Sequence, residues 1–383
     1  MPLIKDFFAK SKSPVNNNVK LYLSLQCESF FGKEMTEMLI QEFEENNPGI
    51  QIIPASGGEV PDIFIFNDGD FDTLVSENAL IELNSFTNYD SGSRQTAIPL
   101  VSFMNLLFYN INILSDAGFD SPPKTREEFT AYSRTVSRGS SGAAGAALSL
   151  SRSDRQALSR DVFSWIWASG GNFWEESDTP ALAARAVGSE ITFLDTLYRE
   201  GSFAQGIFDT TGSQRAEQFA QGNIALMIAS SQIIPYLREK MGDSAFGITT
   251  IPGLGAGGRY STGLSAVYAA LSADCENIEQ AWNFLLFLTG KSSLFCAELK
   301  AVPGVISNII PGDYVRDDPF YSKAWEIFEA SQIAEGFTGK PGAEEYETIF
   351  LEELRAFFET TRSALQTVNA IQQRWDEVIV SGE

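Results

Sequence analysis

The ordered pattern of the chain begins with Val19-Lys20-Leu21-Tyr22-Leu23-Ser24-Leu25, in which apolar and polar residues alternate. A period of two is typical of a half-buried β-strand, so this stretch predicts the first strand. Apolar residues at roughly helical spacing follow over residues 30–43, and Asn46-Asn47-Pro48-Gly49 stops that pattern. Two further strands are predicted at Ile50-Gln51-Ile52-Ile53 and at Asp62-Ile63-Phe64-Ile65-Phe66.

This order of strand, helix, strand and strand predicts an open α/β sheet. The continuous apolar run at 62–66 is typical of a strand that is buried on both faces of a parallel sheet. Ligands of such sheets bind beyond the carboxyl ends of the strands. Glu28-Ser29 follows the first strand and Asn67-Asp68 follows the third, so these polar residues are candidates for ligand binding.

The rest of the chain continues the same alternation. Pro122-Pro123-Lys124-Thr125, followed by Glu127 and Glu128, predicts a helix start with acidic residues near its positive end. Helices are predicted over most of 154–219 and from 278 to the end. Further strands are predicted at 106–110, 224–228, 246–250 and 266–271. No repeat period of about 20–50 residues is visible, which disfavours a solenoid or propeller.

The charge balance excludes several classes of function. The 383 residues contain 27 Lys and Arg, 50 Asp and Glu and no His, so the net charge is −23. A surface this acidic repels phosphates, which disfavours binding to nucleic acid or to an anionic membrane. Without imidazole, a Ser-His-Asp or Cys-His relay and a His-ligated zinc site are impossible.

The three cysteines, Cys27, Cys275 and Cys296, match neither a disulfide framework nor a metal-binding spacing. We expect them to be buried thiols. Residues 1–18 lack an apolar run long enough for a signal peptide, so we expect a flexible lead-in and no signal segment in this chain. The uncharged stretches 95–115 and 218–237 contain Pro and several amides, and we interpret both as buried strands with polar ends.

Enzyme motifs are absent from the sequence. The glycine-rich segment at 253–258 lacks the lysine of a phosphate-binding loop and is interpreted as a turn. Carboxylate pairs such as Asp68 with Asp70, or Glu175 with Glu176, could serve a glycosidase, although acidic pairs in loops are usually solvated. A carboxylate-based glycosidase or lyase therefore stays an alternative.

Three tryptophans, Trp165, Trp167 and Trp174, lie within eleven residues of one another at 164–174. Aromatic faces stack on sugar rings, and polar neighbours bind the hydroxyls, so this segment could form part of a carbohydrate site. Helical spacing would also direct at least one of Trp165 and Trp167 into the core. The sequence leaves both possibilities open for each ring.

Several short phrases between Val19 and the C-terminal region together resemble one family. They include Pro61-Asp62-Ile63-Phe64, Leu107-Phe108-Tyr109-Asn110 and Trp167-Ala168-Ser169-Gly170-Gly171, with further phrases at 43–50, 116–119, 122–129, 219–227, 251–253 and 281–289. In this order they are similar to the maltose-binding-like sugar receptors of ABC importers, the extracellular solute-binding protein family 1.

The resemblance implies a two-lobe periplasmic-binding-protein type II fold. Each lobe would hold a mixed, mostly parallel sheet flanked by helices, and crossing hinge strands would join the lobes. Matching the phrases places lobe 1 at 19–111 and 257–304 and lobe 2 at 112–256 and 305–383, with hinges near Asn110-Ile111, Arg259-Tyr260 and Gly304-Val305. Hinge closure around a ligand is the motion that this class uses.

The resemblance also implies a function without catalysis or cofactor. The chain would be a monomeric receptor that binds a small solute, a sugar or polyol, and delivers it to the membrane permease of an ABC importer. It would act in the periplasm or outside the cell, either free or held by a lipid anchor. A receptor for a polyamine, an iron complex or a glycerophosphodiester is the alternative.

The residues expected at the ligand depart from the family pattern. Gln26-Cys27-Glu28-Ser29, Ala229-Ser230-Ser231-Gln232 and Gly263-Leu264-Ser265 stand where many members carry stacking aromatics. This favours a smaller or more polar ligand, and Lys300 would suit a phosphate or carboxylate. The candidate ligand-binding residues are Glu28, Ser29, Asn67, Asp68, Phe103, Trp167, Ser231, Gln232, Leu264, Ser265 and Lys300.

Overall fold

The structure is a computed structural model that describes residues 18–24, 26–84, 95–154, 156–174, 179–254, 261–304 and 313–382. Most of the predicted lead-in at 1–18 lies outside the described residues. The acidic pair Glu175-Glu176, most of the predicted turn at 253–258 and the predicted hinge residues Arg259, Tyr260 and Val305 also lie outside them.

Strands and helices alternate along the described chain. The strands are β1 (Val19–Leu23), β2 (Ile50–Pro54), β3 (Ile63–Asn67), β4 (Ile98–Asn110), β5 (Ala144–Ala146), β6 (Ile224–Ser230), β7 (Phe246–Thr249), β8 (Ser261–Thr262), β9 (Leu264–Leu271), β10 (Val302–Pro303) and β11 (Gln332–Ile333). The helices are α1 (Gln26–Phe31), α2 (Lys33–Asn46), α3 (Asp68–Ser76), α4 (Ile111–Asp116), α5 (Arg126–Arg138), α6 (Ser164–Ala168), α7 (Ala184–Arg199), α8 (Gly212–Ala220), α9 (Ile234–Met241), α10 (Ile278–Thr289), α11 (Ser292–Leu299), α12 (Asp313–Asp317), α13 (Pro319–Ala330), α14 (Ala343–Glu359) and α15 (Ala364–Gly382).

The chain divides into two compact units, each built from separate segments. Unit 1 comprises the described residues of 1–102, 265–314 and 338–341, and unit 2 comprises those of 103–264, 315–337 and 342–383. Two of the passages of the chain between the units therefore lie inside β4 and at the start of β9. The lobe limits predicted from the sequence place these two passages at the end of β4 and before β8. Those lobe limits stay a prediction.

The sheet of unit 1 begins with three neighbouring parallel strands. β1 pairs in parallel with β2, from Val19 opposite Ile50 to Leu23 opposite Pro54, and it also pairs in parallel with β3. β9 returns antiparallel to β3 and brings Val267 opposite Asn67. β10 pairs antiparallel with the first part of β4.

The strands of unit 2 are arranged around the second part of β4. β6 and β7 both pair with it in the antiparallel sense. β5 is parallel to β6, and β8 and β11 form a separate parallel pair. Together with the surrounding helices, these mixed sheets confirm the predicted α/β fold class.

Each unit has its own apolar core. In unit 1, Phe66 and Phe71 pack against Ala270, and the Phe66 and Tyr268 rings stack with centroids 5.7 Å apart. In unit 2, a larger core gathers Phe163, Phe350 and Trp375, which are almost completely buried. Cys27, Cys275 and Cys296 are buried, as predicted, and all three are free thiols.

Two local predictions need correction. The polar cluster after β1 is already helical, because α1 begins at Gln26 and buries Cys27 and Phe31 one turn apart, and Gly32 with φ 79° separates it from α2. The uncharged stretch 218–237 is a strand only within β6, since α8 precedes it and α9 follows. By contrast, α5 begins as predicted, with the Thr125 hydroxyl accepting a hydrogen bond from Glu128 N.

Among the described residues, no helix combines the length and the apolar character that crossing a membrane requires.

Candidate functional site

In unit 1, the candidate residues gather at the carboxyl end of β3. Asn67 ends this strand and caps α3, because its Oδ1 accepts a hydrogen bond of 2.8 Å from Gly69 N. Asp68 is therefore the first residue of α3, where the helix dipole favours a negative charge. The sequence predicted that both residues lie at the end of this strand, but it did not predict the helix that begins at Asp68.

The Asp68 carboxylate is held by groups of β9. Its Oδ2 accepts a hydrogen bond of 3.0 Å from Ala266 N, and its Oδ1 accepts one of 3.0 Å from the Tyr268 hydroxyl. Burial raises the pKa of Asp68 to about 7, and the nearby charge of Asp72 adds to the rise, although both hydrogen bonds act in the opposite direction. Near neutral pH this carboxyl group can therefore gain or lose a proton.

Tyr268 shares the same environment. Burial and the Asp68 charge together raise its pKa well above the ordinary value, so the phenol stays protonated and donates to Asp68. The backbone N–H of Gly339 donates to Asp72 Oδ1 at 2.7 Å, and the Phe71 ring lies against Gly339. These contacts secure the first turns of α3 from one side.

Glu28 and Ser29 lie in α1. Glu28 is half-buried, Ser29 is exposed, and the Ser29 hydroxyl donates to Gln26 O at 2.8 Å. Gln26 Nε2 also donates to Asp70 Oδ2 at 3.2 Å, which connects α1 with the beginning of α3. The two predicted groups after β1 and β3 therefore occupy neighbouring elements of unit 1.

Ser265 and Lys300 complete the candidates in unit 1. Ser265 directly precedes Ala266, whose backbone N–H donates to Asp68. Lys300 follows α11 with the left-handed φ of 52°, and its Nζ donates to Ala297 O at 2.7 Å. A lysine in this conformation is uncommon outside turns, and the bond to Ala297 closes the end of α11.

In unit 2, the candidates lie around the middle of β4. Phe103 is 4% exposed, and the next residue, Met104, donates its N–H to Ser231 Oγ at 3.1 Å. Ser231 begins a 3₁₀ turn, Ser231–Ile233, in which the neighbouring Gln232 is exposed. The structure thus brings Ser231 to Met104, the neighbour of Phe103, across 127 residues of sequence.

Trp167 is packed inside unit 2. It is 2% exposed and meets Phe163 and Phe173 edge to face, with centroid distances of 5.7 and 6.0 Å. Its six-membered ring lies so close to Gly263 that a Cβ atom there would be 2.4 Å from Trp167 Cζ3. Leu264, half-buried, follows Gly263 directly. The stacking role of Trp167 stays a prediction, and its indole N–H has no acceptor among the described residues.

Several polar residues of the site were not predicted. Tyr268 and Asp72 lie beside Asp68 in unit 1, whereas in unit 2 Ser164 of α6 and Thr262 of β8 are hydrogen-bonded to Asn105 of β4. Of these residues, Asn105 could most readily have been predicted from the sequence, because an amide inside the apolar run of β4 needs a hydrogen-bond partner. The sequence around the other residues contains no signal that would have pointed to them.

The polar side chains of the candidate site are mainly hydroxyls, amides and carboxylates. Within the described ranges, no three Cys, Asp or Glu side chains come together in a way that could hold a metal ion. The arrangement can donate and accept hydrogen bonds, and Asp68 can exchange a proton.

The chain has relatives in sequence among known proteins. A Deinococcus radiodurans protein named "probable ABC transporter-binding protein" is 22% identical over 253 residues, which cover 63% of this chain and 59% of that protein. The chain spans about half the length of the curated relatives it matches, between 46% and 59%.

Solved structures share the fold over nearly the whole chain. A cyclic alpha-maltosyl-1,6-maltose binding protein from Arthrobacter globiformis has a TM-score of 0.76 at 14% identity, covering 94% of this chain and 99% of that one. UgpB from Mycobacterium tuberculosis, in complex with glycerophosphocholine, has a TM-score of 0.72 at 17% identity, covering 96% and 99%. At these identities the likeness concerns the fold, which is the predicted periplasmic-binding type.

A family model described as bacterial extracellular solute-binding protein matches residues 32–293. This range is more than half of the chain and contains most of the candidate residues, from Asn67 to Ser265. The match confirms the resemblance deduced from the sequence phrases: the chain belongs to the family of bacterial extracellular solute-binding proteins.

Proposed function

We propose that the chain is the substrate-binding receptor of an ABC-type importer, that it binds a sugar or sugar-like solute by hinge closure, and that it catalyses no reaction. The observation that carries this proposal is the family match over residues 32–293. The solved structures with the same fold include receptors for sugars, which supports the ligand class. The absence of histidine from the sequence agrees with a protein that releases its cargo unchanged.

The groups of unit 1 support a ligand that carries hydroxyl groups. The half-buried Asp68 carboxylate keeps acceptor capacity beyond its bonds to Ala266 N and the Tyr268 hydroxyl, because a carboxylate has about four lone-pair positions. Ser29 and Ser265 add hydroxyls near the same strand ends. Such a mixture of one carboxylate and several neutral groups suits a polyol or sugar.

The direct test is a ligand screen on the whole chain. We expect glucose, maltose, sorbitol or a related neutral compound to raise the melting temperature and to give a saturable heat in calorimetry, since a ligand that binds only the folded state stabilises it. Stabilisation by an unrelated solute class, with none from sugars, polyols or their phosphates, would overturn the proposal.

One observation favours a second candidate, a receptor for a cationic or zwitterionic solute. Asp68, Asp70 and Asp72 lie in two turns at the start of α3, and UgpB, with the same fold, was solved with glycerophosphocholine. A polyamine, an iron complex or a glycerophosphodiester would then replace the sugar. Putrescine and glycerophosphocholine belong in the same screen, and their binding in place of sugars would select this candidate.

The enzyme alternative can be tested with two isosteric variants. A glycosidase or lyase that uses carboxylates would release product from a glycoside, and the activity would disappear in Glu28→Gln or Asp68→Asn. We expect no product from the wild-type protein at any time point. Product that depends on either carboxylate would show that the chain is an enzyme.

The partners and the location follow from the same proposal. We propose a monomer that acts outside the cytoplasmic membrane, in the periplasm or on a lipid anchor, and that docks on the permease of an importer. Light scattering coupled to gel filtration tests the monomer, and a stable dimer at micromolar concentration would contradict it. Fractionation of cells that express the native gene tests the location.

A further inference from the structure

A π-helical turn, Ser159–Phe163, precedes the short helix α6 in unit 2. Such turns are rare and occur frequently at functional sites. The Ser164 hydroxyl follows this turn and donates a hydrogen bond of 3.2 Å to Ser159 O. Ser164 is fully buried, so its oxygen is held in one position inside unit 2.

Ser164 in turn determines how the side chain of Asn105 is oriented. Because the Ser164 hydrogen is committed to Ser159 O, the Ser164 oxygen accepts, and it receives Asn105 Nδ2 at 3.1 Å. The amide nitrogen of Asn105 therefore faces Ser164, and its Oδ1 must face the other way.

The backbone of Asn105 is fixed as well. Its N–H donates to Gly263 O at 3.1 Å, and its carbonyl oxygen accepts from Thr262 Oγ1 at 2.8 Å. The residue is 8% exposed, and in the described part of the chain its Oδ1 accepts no hydrogen bond. Among the described residues this oxygen is not one of the fully buried atoms that lack a partner, so it keeps contact with solvent and is an oriented acceptor open to a ligand.

A hydroxyl donor, Ser231 of the 3₁₀ turn, binds Met104, the residue before Asn105 on β4. Ser231 Oγ accepts the N–H of Met104 at 3.1 Å, and within the described ranges its own hydroxyl hydrogen has no acceptor. Ser231 is 5% exposed. All the described hydrogen-bond partners of Asn105, Ser164 and Ser231 are neutral groups, so this part of unit 2 offers an acceptor and a donor without a charge.

We propose that Asn105 is a specificity-determining residue: its Oδ1 accepts a hydrogen bond from a hydroxyl group of the solute, and Ser231 donates to a second oxygen. The inference rests on the proposed receptor function and narrows it to a neutral polyhydroxylated ligand. A cation gains little from an amide and a hydroxyl that have no charge, whereas a sugar or polyol can both donate and accept.

The first experiment measures the dissociation constant by calorimetry for whichever neutral probe, glucose, maltose or sorbitol, the wild-type protein binds. We expect Asn105→Leu, which keeps the side-chain volume, to weaken binding about threefold to tenfold, the loss of one hydrogen bond between neutral groups. A deoxy analogue of the probe that lacks the contacted hydroxyl should bind the wild type and the variant equally well.

Three further variants separate recognition from folding. Asn105→Asp has the same size but puts an acceptor where Nδ2 donates to Ser164, so the side chain loses its fixed orientation, and we expect weaker binding of the neutral probe. Ser164→Ala removes the group that orients Asn105, so its effect on affinity should be in the same direction and smaller. Asn223→Ala changes an exposed asparagine of unit 2 and should leave the dissociation constant unchanged. Circular dichroism confirms the fold of each, and Ser231→Ala replaces Asn105→Leu if the latter does not fold.

The outcomes distinguish this inference from the proposed function. If the wild-type protein binds a neutral probe and Asn105→Leu binds it equally well, the inference is wrong and the receptor proposal stands. If the wild type binds putrescine and no neutral probe, and Asn105→Asp strengthens that binding, both the sugar proposal and the inference are wrong. A selective loss of the neutral probe in Asn105→Leu supports both.

Discussion

Asp68 is the first residue of α3, and its carboxyl group has a pKa well above that of an ordinary aspartate. Burial outweighs its two hydrogen bonds and raises its pKa to about 7, from an ordinary value of 3.8. The carboxyl is thus predicted to bind its proton in the folded chain over a pH range in which the unfolded chain has released it. Folding consequently takes up a proton between about pH 4 and pH 7.

The first prediction is the sign of the resulting pH dependence. The unfolded state binds fewer protons at this site, so the contribution of Asp68 to the free energy of unfolding falls as pH rises from about 4 to 7. The total change is on the order of 1–4 kcal/mol, since one pKa unit corresponds to about 1.4 kcal/mol. Urea unfolding of the wild type and of Asp68→Asn at each pH isolates this contribution. A stability difference between the two proteins that does not change with pH would contradict the prediction.

The second prediction concerns Gly263, which lies against the Trp167 ring. A methyl group on Gly263 would be 2.4 Å from Trp167 Cζ3, and the buried ring cannot move away freely. We expect Gly263→Ala to destabilise the protein by about 1–3 kcal/mol, the usual cost of overpacking a core. Gly58→Ala is the matched control, because a Cβ there meets no atom within 4 Å. Equal unfolding midpoints for the two variants would show that Trp167 can move.

The third prediction concerns the start of α3, which positions Asp68. The Asn67 side chain satisfies the backbone N–H of Gly69, one of the donors that a helix leaves unpaired at its first turn. We expect Asn67→Ala to cost about 1 kcal/mol of stability and to weaken ligand binding, because the Asp68 carboxylate loses its fixed position. Asn67→Ser can still cap the helix and should retain more of both properties. Calorimetry and chemical unfolding measure the two effects, and identical results for the two variants would disprove the capping role.

The limits of the first helices show what a local sequence pattern can predict and what it cannot. The apolar spacing over 30–43 predicted a helix, but the break between α1 and α2 at Gly32 was not predicted. α1 is short and begins inside a polar cluster, and its helical state depends on burying Cys27 and Phe31. Packing against distant residues, such as Phe31 against Phe295 at 4.2 Å, is invisible to a local pattern.

The fourth prediction concerns the whole chain and its net charge of −23. Like charges repel one another more strongly in the compact state than in the expanded chain, and salt screens this repulsion over about 10 Å at 0.1 M. We therefore expect the melting temperature at pH 7.5 to rise by a few degrees between about 10 and 300 mM NaCl. Near the isoelectric point of about 4.4 the rise should vanish. A melting temperature that falls with salt at pH 7.5 would contradict the argument.

The sequence by itself determined the α/β class, the family and the polar residues at the strand ends, because periodicity, breakers and short phrases are local properties. It placed Asn67 and Asp68 correctly at the end of β3. Only the tertiary structure decided what surrounds them, since Tyr268 reaches Asp68 across 200 residues of sequence. The same holds for Asn105, whose orientation depends on Ser164, 59 residues away. Hydrogen bonds and burial join residues by distance in space, and no local pattern encodes that distance.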